Sequence, residues 1–491
     1  MTCLRGTMIR QIQVNGYVGR VYAEWVSRFL GCVLTLAAAT VVCMAQSKSL
    51  RAGAARVEIT PPLADGFSGP TGKYEHEHLF VRAIVVDNGT SRAALIGADQ
   101  SNLSEGIWNQ ASQRIAKELD CPVSNILISA THTHSPGVAI GPPNGTQVPG
   151  TLSVDEQRVV DGMVSAVRQA KDKLRPAQMA FGAGNAYLNV NRDAIQPQTH
   201  LWTQAPNLNA PSDKTVAILK FEKLTGEPIG VYVNYAMHPI NGYLANFTSA
   251  DFAGAMSRYV EQAYDDQPTV IFTQGASGDQ NPLYLRPSTN GMASRSGVAI
   301  TGNVLVRESV EGPLRDGPVK GTSMDAKVRD RLERWMESEG DVLGEEVIRV
   351  MTNATHTARN VRIAGSQTEV TCPGRTRTDN GREGMAGTYV DGPLVPIRLG
   401  VLGIGDVALT SVDAEVYNLI SQRMKRQSPM ANTVMVTLAN GRAPSGYIPD
   451  DASFGHNSFQ VLGSRLKVGC AEDSIADGLA KLVSAYDDQR Q

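Results

Sequence analysis

Short runs rich in Val and Ile alternate along this chain with segments whose apolar residues recur every four positions, and the strand-like runs repeatedly stop on histidine, acidic or glycine-rich elements. A period of two alternating with a period near 3.6 confines the fold to mixed α/β architecture. Phe80–Asp87 runs into Asn88-Gly89, a two-residue hairpin signal, and Arg92–Asp99 returns as its partner. Glu105–Leu119 keeps Ile107, Ala111, Ile115 and Leu119 on one face, so a helix is expected there. A strand at Ser124–Ala130 and a second helix at Val154–Leu174 follow. Further strands are expected at Thr215–Phe221, Ile229–Tyr235 and Thr269–Thr273, each bounded by turn residues. Helical pattern resumes over Ala326–Val350. Ile397–Ile404 and Val407–Val412 read as a hairpin, followed by a helix at Glu415–Arg426, a strand at Thr433–Leu438 and a helix at Asp473–Tyr486. Two stretches lack any period, 286–321 and 369–396, and read as irregular insertions. The expectation is one large α/β domain over 50–491, with mixed β-sheets flanked by helices.

The first 45 residues read differently. Phe29–Met44 is an apolar run that follows Arg28 and ends in a small-x-small pattern, the form of a secretory signal, with a signal anchor as the competing reading. A secreted or periplasmic protein is therefore expected. Of six cysteines, three lie in that leader, leaving Cys121, Cys372 and Cys470. So sparse a set implies no disulfide framework, although Cys372 with Cys470 is the preferred pair in an oxidising compartment. With 46 basic against 48 acidic side chains, scattered along the chain, there is no electrostatic footprint for nucleic acid.

Chemistry concentrates where strands end, a common place for α/β sites. Thr131-His132-Thr133-His134 follows one strand, and continued strand geometry would put both imidazoles on one face. The pair also fits two hydrogen-bonded histidines at a strand end. His238 emerges after a second strand, and Gly275-Ala276-Ser277-Gly278-Asp279-Gln280-Asn281-Pro282 after a third; the latter lacks the Gly-Lys-Ser/Thr ending of a phosphate loop. Asp413 and Glu415 follow a fourth, and Tyr447 lies in a loop after a fifth. Asp99 reads as either an orienting partner for a histidine or a turn cap. Arg192 reads as either a substrate contact or an ion-pair partner. His76 and His78 read as a solvated edge and His456 as a surface residue.

Taken in order, the motifs resemble the neutral (alkaline, non-lysosomal) ceramidases, zinc-dependent amidases of sphingolipid metabolism. The resemblance rests on Ala55–Pro62 (ARVEITPP), Ser129–Ser135 (SATHTHS), Asn189–Arg192 (NVNR), Tyr235–His238, Gly275–Pro282, Val412–Glu415 and Gly446-Tyr447, and spans roughly 52–470. It implies one Zn²⁺ per chain held by His132, His238, Glu415 and Tyr447, a donor set that suits an open catalytic site. It further implies catalytic roles for His134, facing the substrate carbonyl, and Asn281, and substrate contacts from Arg192, Gly278 and Asp279. The expected reaction is hydrolysis of ceramide or a related N-acyl lipid by zinc-activated water, with peripheral contact to a membrane surface and no specific protein partner.

Two departures keep alternatives open. Asn281 stands where ceramidases carry the serine of Gly-Asp-Val-Ser-Pro-Asn, and the length leaves no room for their C-terminal immunoglobulin-like domain. An amidase acting on soluble N-acyl or cell-wall compounds, or a non-catalytic surface protein with the same fold, is the alternative.

Overall fold

The computed structural model describes residues 49–63, 68–136, 152–243, 247–283 and 326–489. The expected signal segment and the expected insertion at 286–321 lie outside the described residues.

Strands β1 (Arg51–Glu58), β2 (Phe80–Asp87), β3 (Arg92–Ala98), β4 (Ile126–Ala130), β5 (Arg175–Asn185), β8 (Thr215–Lys223), β9 (Pro228–Tyr235) and β10 (Thr269–Gln274) form an eight-stranded sheet ordered β10-β9-β8-β5-β1-β2-β3-β4. Its two outermost pairs, β3 with β4 and β10 with β9, are parallel. Strands β6 (Asn189–Ile195), β7 (Trp202–Asn207) and β11 (Gln280–Pro282) make a three-stranded sheet ordered β11-β6-β7. A four-stranded sheet, β12-β13-β14-β16, is built from Ile363–Arg377, Tyr389–Ile404, Val407–Val412 and Asn432–Val436. A two-stranded parallel ribbon joins β15 (Glu415–Val416) to β17 (Tyr447–Ile448).

Period-two alternation decides the layering. One face of the large sheet carries Ile84, Val86, Leu95, Tyr232 and Ile271, and these meet Leu402, Leu409 and Val434 of the four-stranded sheet. The alternate residues Val81, Ala83, Val85, Ala94 and Ile96 instead face helices α1 (Glu105–Leu119) and α2 (Val154–Asp172). Val231, Val233 and Val270 pack on α3 (Asp251–Ala263) and α4 (Ala326–Asn353). The far face of the four-stranded sheet is covered by α5 (Asn418–Gln427) and, beyond the short α6 (Phe459–Gly463), by α7 (Ala471–Asp488). Helices thus enclose two stacked sheets, with central strands such as β9, β10 and β14 buried on both faces. The caps expected of such helices are present. Ser104 accepts from Ile107 N at the start of α1, and Ser153 forms a reciprocal capping box with Glu156 at the start of α2.

The fold class stands as expected, and the disulfide Cys372–Cys470 ties β12 to the residue preceding α7. Two expectations are corrected. The stretch 369–396 is no irregular excursion, since most of it lies in the long antiparallel hairpin β12-β13, whose glycines accompany a register shift between Cys372 and Gly374. Glu415 does not open a helix: it pairs in parallel with Tyr447, and helix begins only at Asn418. The Val416 carbonyl accepts from the Gly278 N–H at 2.9 Å and the Tyr417 N–H donates to the Ile448 carbonyl at 3.0 Å, which keeps Glu415 extended rather than on a helical turn.

Candidate metal centre

The donors come from the ends of β4 and β9, near opposite edges of the large sheet, and from the β15-β17 ribbon. β4 ends at Ala130, and His132 then adopts φ +69, a left-handed conformation rare outside glycine and a marker of backbone held by its surroundings. Its N–H donates to Gln100 O at 2.9 Å, and its Nδ1 lies against the Ser101 carbonyl. Convergence with His134 therefore arises from a turn, not from the continued strand that the sequence suggested. His238, after β9, is held twice by one carbonyl: its backbone N and its Nδ1 lie 3.1 and 3.0 Å from Gln280 O. Because a carbonyl only accepts, both Nδ1 atoms carry the proton, and both Nε2 atoms present lone pairs.

Those lone pairs meet. His132 Nε2 is 3.4 Å and His238 Nε2 3.2 Å from Glu415 Oε2, and His134 Nε2 is 3.3 Å from His132 Nε2. All three imidazoles offer ligand atoms within 4.8 Å of one another. Burial, with the Arg192 charge and His132 adding to it, pushes His238 down to about 3. Burial and the two neighbouring imidazoles hold His134 well below the usual range. Burial alone would raise the Glu415 carboxyl, but His132 and His238 outweigh it and hold it well below the carboxylate range. Neutral imidazoles and an ionised carboxylate are the protonation states a cation requires. The spacing fits one as well: tetrahedral ligands about 2.1 Å from an ion stand about 3.4 Å apart. A Nδ1–H···O=C bond behind each ligand histidine is the usual means of fixing tautomer and ring orientation.

Tyr447 completes the ring of candidates. It sits in register with Glu415, and burial, then the Glu415 charge, pushes its phenol up. Arg192, nearly fully buried on β6, lies over the Tyr447 ring at 5.4 Å. It donates to Asn281 Oδ1 at 3.2 Å and to the Gly278 carbonyl, and Gln460 turns its amide oxygen to the same guanidinium. With its oxygen engaged, Asn281 is left to offer an amide N–H. Gly278 is glycine for reasons of space: a Cβ there would stand 2.9 Å from the Val416 carbonyl and 3.0 Å from Tyr417 Cδ1. The Asp279 carboxylate is taken up by the Asn418 N–H at 2.9 Å and by the side chains of Asn418 and Asn191. Burial pushes it up to about 7. Gly278 and Asp279 thus lock the loop against α5 immediately behind the centre.

Other histidines and acids lie elsewhere. His76 is not on a solvated edge: it is fully buried, between Ser249 Oγ at 3.0 Å and the Glu333 carbonyl at 3.2 Å. His456 is half-buried, not free on the surface. Asp99 neither orients a histidine nor caps a turn, its Oδ2 being engaged by Phe80 N and Arg82 Nη1. The sequence reading missed the Ser101 and Gln280 carbonyls, which leave no trace in residue type. It also missed Asp193, Tyr417 and Gln460, for which the neighbouring Arg192, Glu415 and Tyr447 were the available signal.

Strand ends that converge on a cluster of imidazoles and one carboxylate define a protein with a candidate metal centre at the heart of a mixed α/β fold. Residues 51–398, well over half of the chain, match the family model for neutral/alkaline non-lysosomal ceramidase, N-terminal, and the chain belongs to that family. It is 25% identical over 280 residues to the neutral ceramidase of Drosophila pseudoobscura pseudoobscura, covering 52% of this chain and 39% of the relative. It is 24% identical over 272 residues to neutral ceramidase A of Dictyostelium discoideum, covering 52% and 38%. The matched segments therefore span about two-fifths of these relatives. In three dimensions the chain resembles a ceramidase complexed with C2, with TM-score 0.65, 14% identity, and 90% of this chain and 76% of the other covered. It also resembles neutral ceramidase from Pseudomonas aeruginosa, with TM-score 0.64, 15% identity, and 90% and 75% covered. The family match ends before Glu415 and Tyr447, so their place at the centre rests on the geometry above.

Proposed function

We propose that the chain is an exported zinc-dependent amidohydrolase that cleaves an N-acyl amide bond, in ceramide or a related N-acyl lipid. The observation that carries this reading is the pair of imidazoles whose Nδ1 atoms are bound to carbonyls while both Nε2 lone pairs face Glu415 Oε2 at 3.2 and 3.4 Å. Imidazole and carboxylate donors suit zinc, which when bound polarises a carbonyl and lowers the pKa of water toward about 7.

The chain's own residues then have distinct tasks. His132, His238 and Glu415, with Tyr447 beside them, hold the ion. His134, on the open side of His132, faces the acyl carbonyl, and the Asn281 amide donates to the substrate. Arg192 fixes Asn281 and Tyr447 together. No protein nucleophile is required, so Asn281 in place of a serine is compatible with turnover by water.

Purified protein should hold about one zinc per chain by mass spectrometry and release fatty acid from an N-acyl sphingoid base. Metal-free protein that is fully active would end the reading. The Asn281 substitution favours a second reading, cleavage of soluble N-acyl compounds. A steep fall in kcat/KM with acyl chain length would select it over the lipid.

A further inference from the structure

Amide hydrolysis breaks a C–N bond and forms a C–O bond, and both protons of the consumed water finish on the departing nitrogen, leaving carboxylate and ammonium. Some group must carry those protons. The residues around the centre are poorly placed for it. His132, His238 and Glu415 are committed as ligands, and His134 directs Nε2 toward His132. Burial pushes the Tyr447 and Tyr417 phenols well up, and Arg192 stays charged. The Asp279 carboxylate is filled by asparagine donors.

His456 is placed for it, and we propose that His456, held by Asp193, moves protons between the surroundings of the centre and solvent. This role rests on the amidohydrolase reading. The segment that carries His456 packs beside the centre: three residues on, Phe459 lies 6.0 Å from the Tyr447 ring, and Gln460 meets Arg192. His456 Nδ1 lies 3.3 Å from Asp193 Oδ2, and Asp193 is the residue that follows Arg192 on β6. The same oxygen accepts from the Tyr417 hydroxyl at 3.1 Å and from Ser458 Oγ at 3.3 Å. Asp193 Oδ1 is buried with no partner, so the carboxylate has capacity in reserve. The imidazole is stacked flat on Trp202, centroids 3.6 Å apart at 18°.

These contacts settle the tautomer. The carboxylate takes the Nδ1 proton and leaves Nε2 as a lone pair, on a side chain that remains 24% exposed. A solvated surface histidine has neither the carboxylate nor the clamp. The charged or titratable groups around it are Asp193 and Arg192 on β6 and Tyr417 before α5. From the β12-β13 hairpin tip comes Glu383, which accepts from the Phe459 N–H.

The test compares wild type with His456→Ala, His456→Gln and Asp193→Asn in the zinc-loaded enzyme. It follows kcat, KM, pH profile, zinc content and melting temperature on an N-acyl amide substrate. His456→Ala should lower kcat about 10²-fold with KM within twofold and zinc unchanged. The pH dependence of kcat should lose one ionisation, and added imidazole should restore much of the rate. Asp193→Asn should show a smaller loss of the same kind. His456→Gln keeps the size of the side chain and covers the case in which alanine fails to fold. An active wild type with variants that keep its kcat and pH profile, or that lose only KM, overturns the role of His456 alone. A wild type inert on every N-acyl amide overturns the amidohydrolase reading and this role with it.

Discussion

Of the polar clusters sealed among the described residues, two that hold histidine can be compared, and one of them has the form of a site. Around His132, His238 and Glu415, and again around His76, Glu77 and Glu333, side chains from distant parts of the sequence meet away from water. Burial keeps a histidine neutral in each, pushing His238 down to about 3 and His76 to about 4. The difference lies in the imidazoles, since at the second cluster too Glu333 Oε2 is buried without a partner. Both ring nitrogens of His76 have partners, Ser249 Oγ and the Glu333 carbonyl. Glu77 accepts from Thr71 N and Oγ1, Gly72 N and Arg329. At the other cluster each imidazole has one nitrogen satisfied and one aimed at a carboxylate. Burial of titratable groups therefore does not mark function; uncommitted lone pairs that converge do.

The largest expected effect separates the clusters directly. His132→Ala or His238→Ala should lose the ion and lower hydrolysis by about 10³-fold or more. The loss of stability should be larger in zinc-loaded than in metal-free protein, because only the loaded protein loses the ion. His76→Ala should do the reverse, keeping its zinc while losing about 2–4 kcal/mol of stability in metal-free and loaded protein alike. Zinc by mass spectrometry and unfolding in chelator read both. If His76→Ala loses metal with the fold intact, the distinction fails.

The contrast also explains what could be read in advance. The bounds of α1 and β14 were legible because their periods are clean, and His132, His238 and Glu415 because each follows such a strand. The strands β1, β5, β6 and β7 and helix α3 were not. β1 reads Arg-Ala-Gly-Ala-Ala-Arg-Val-Glu, a composition poor in strand formers, because α2 approaches closely: a Cβ on Gly53 would stand 2.9 Å from Leu174 N. Tertiary packing overrode propensity there. The hairpin over 369–396 was hidden likewise by glycines and charges on half-exposed strands. At the site, the candidate ligands are side chains and announce themselves, whereas the carbonyls that accept from their Nδ1 atoms belong to the backbone and do not. His76 was misread because a histidine between glutamates looks solvated, although Glu77 is itself enclosed.

A second, smaller effect is a pH slope that belongs to the second cluster's neighbourhood. Burial, then the Asp251 charge, pushes Glu339 up to about 8, and burial pushes Glu333 and Glu337 to about 7. These carboxyls ionise near 4.5 in the unfolded chain, so between that pH and their folded values the native state binds more protons. Stability should fall as pH rises through this window. His76 works the opposite way between about 4 and 6.5, where its protonation favours the unfolded chain. The clean interval is therefore pH 6.5 to 8. Glu339→Gln should flatten the decline there, measured by denaturant unfolding in chelator. An unchanged slope would remove Glu339 from the account.

The smallest expected effect lies where the two clusters share a residue. Ser249 gives its Oγ to His76, while its carbonyl accepts from Thr133 Oγ1 and its N–H donates to the Ser135 carbonyl, between which His134 stands. Side chain and backbone of one serine thus serve different regions. Ser249→Ala removes the first connection, together with the Asp251 N–H bond to Ser249 Oγ at 2.8 Å, and should cost about 1–2 kcal/mol with zinc affinity unchanged. Thr133→Val removes the second, together with the Ser135 N–H bond to Thr133 Oγ1 at 3.2 Å. It should weaken zinc binding by about tenfold, as loss of a ligand's supporting contacts does. If the clusters are independent, the two changes combine additively to within about 0.5 kcal/mol in stability and the double variant binds zinc as Thr133→Val does. A larger coupling would mean that the enclosed acids around α4 help to hold the His132–His134 turn, and that the boundary between structural and functional polar groups runs through Ser249 rather than around it.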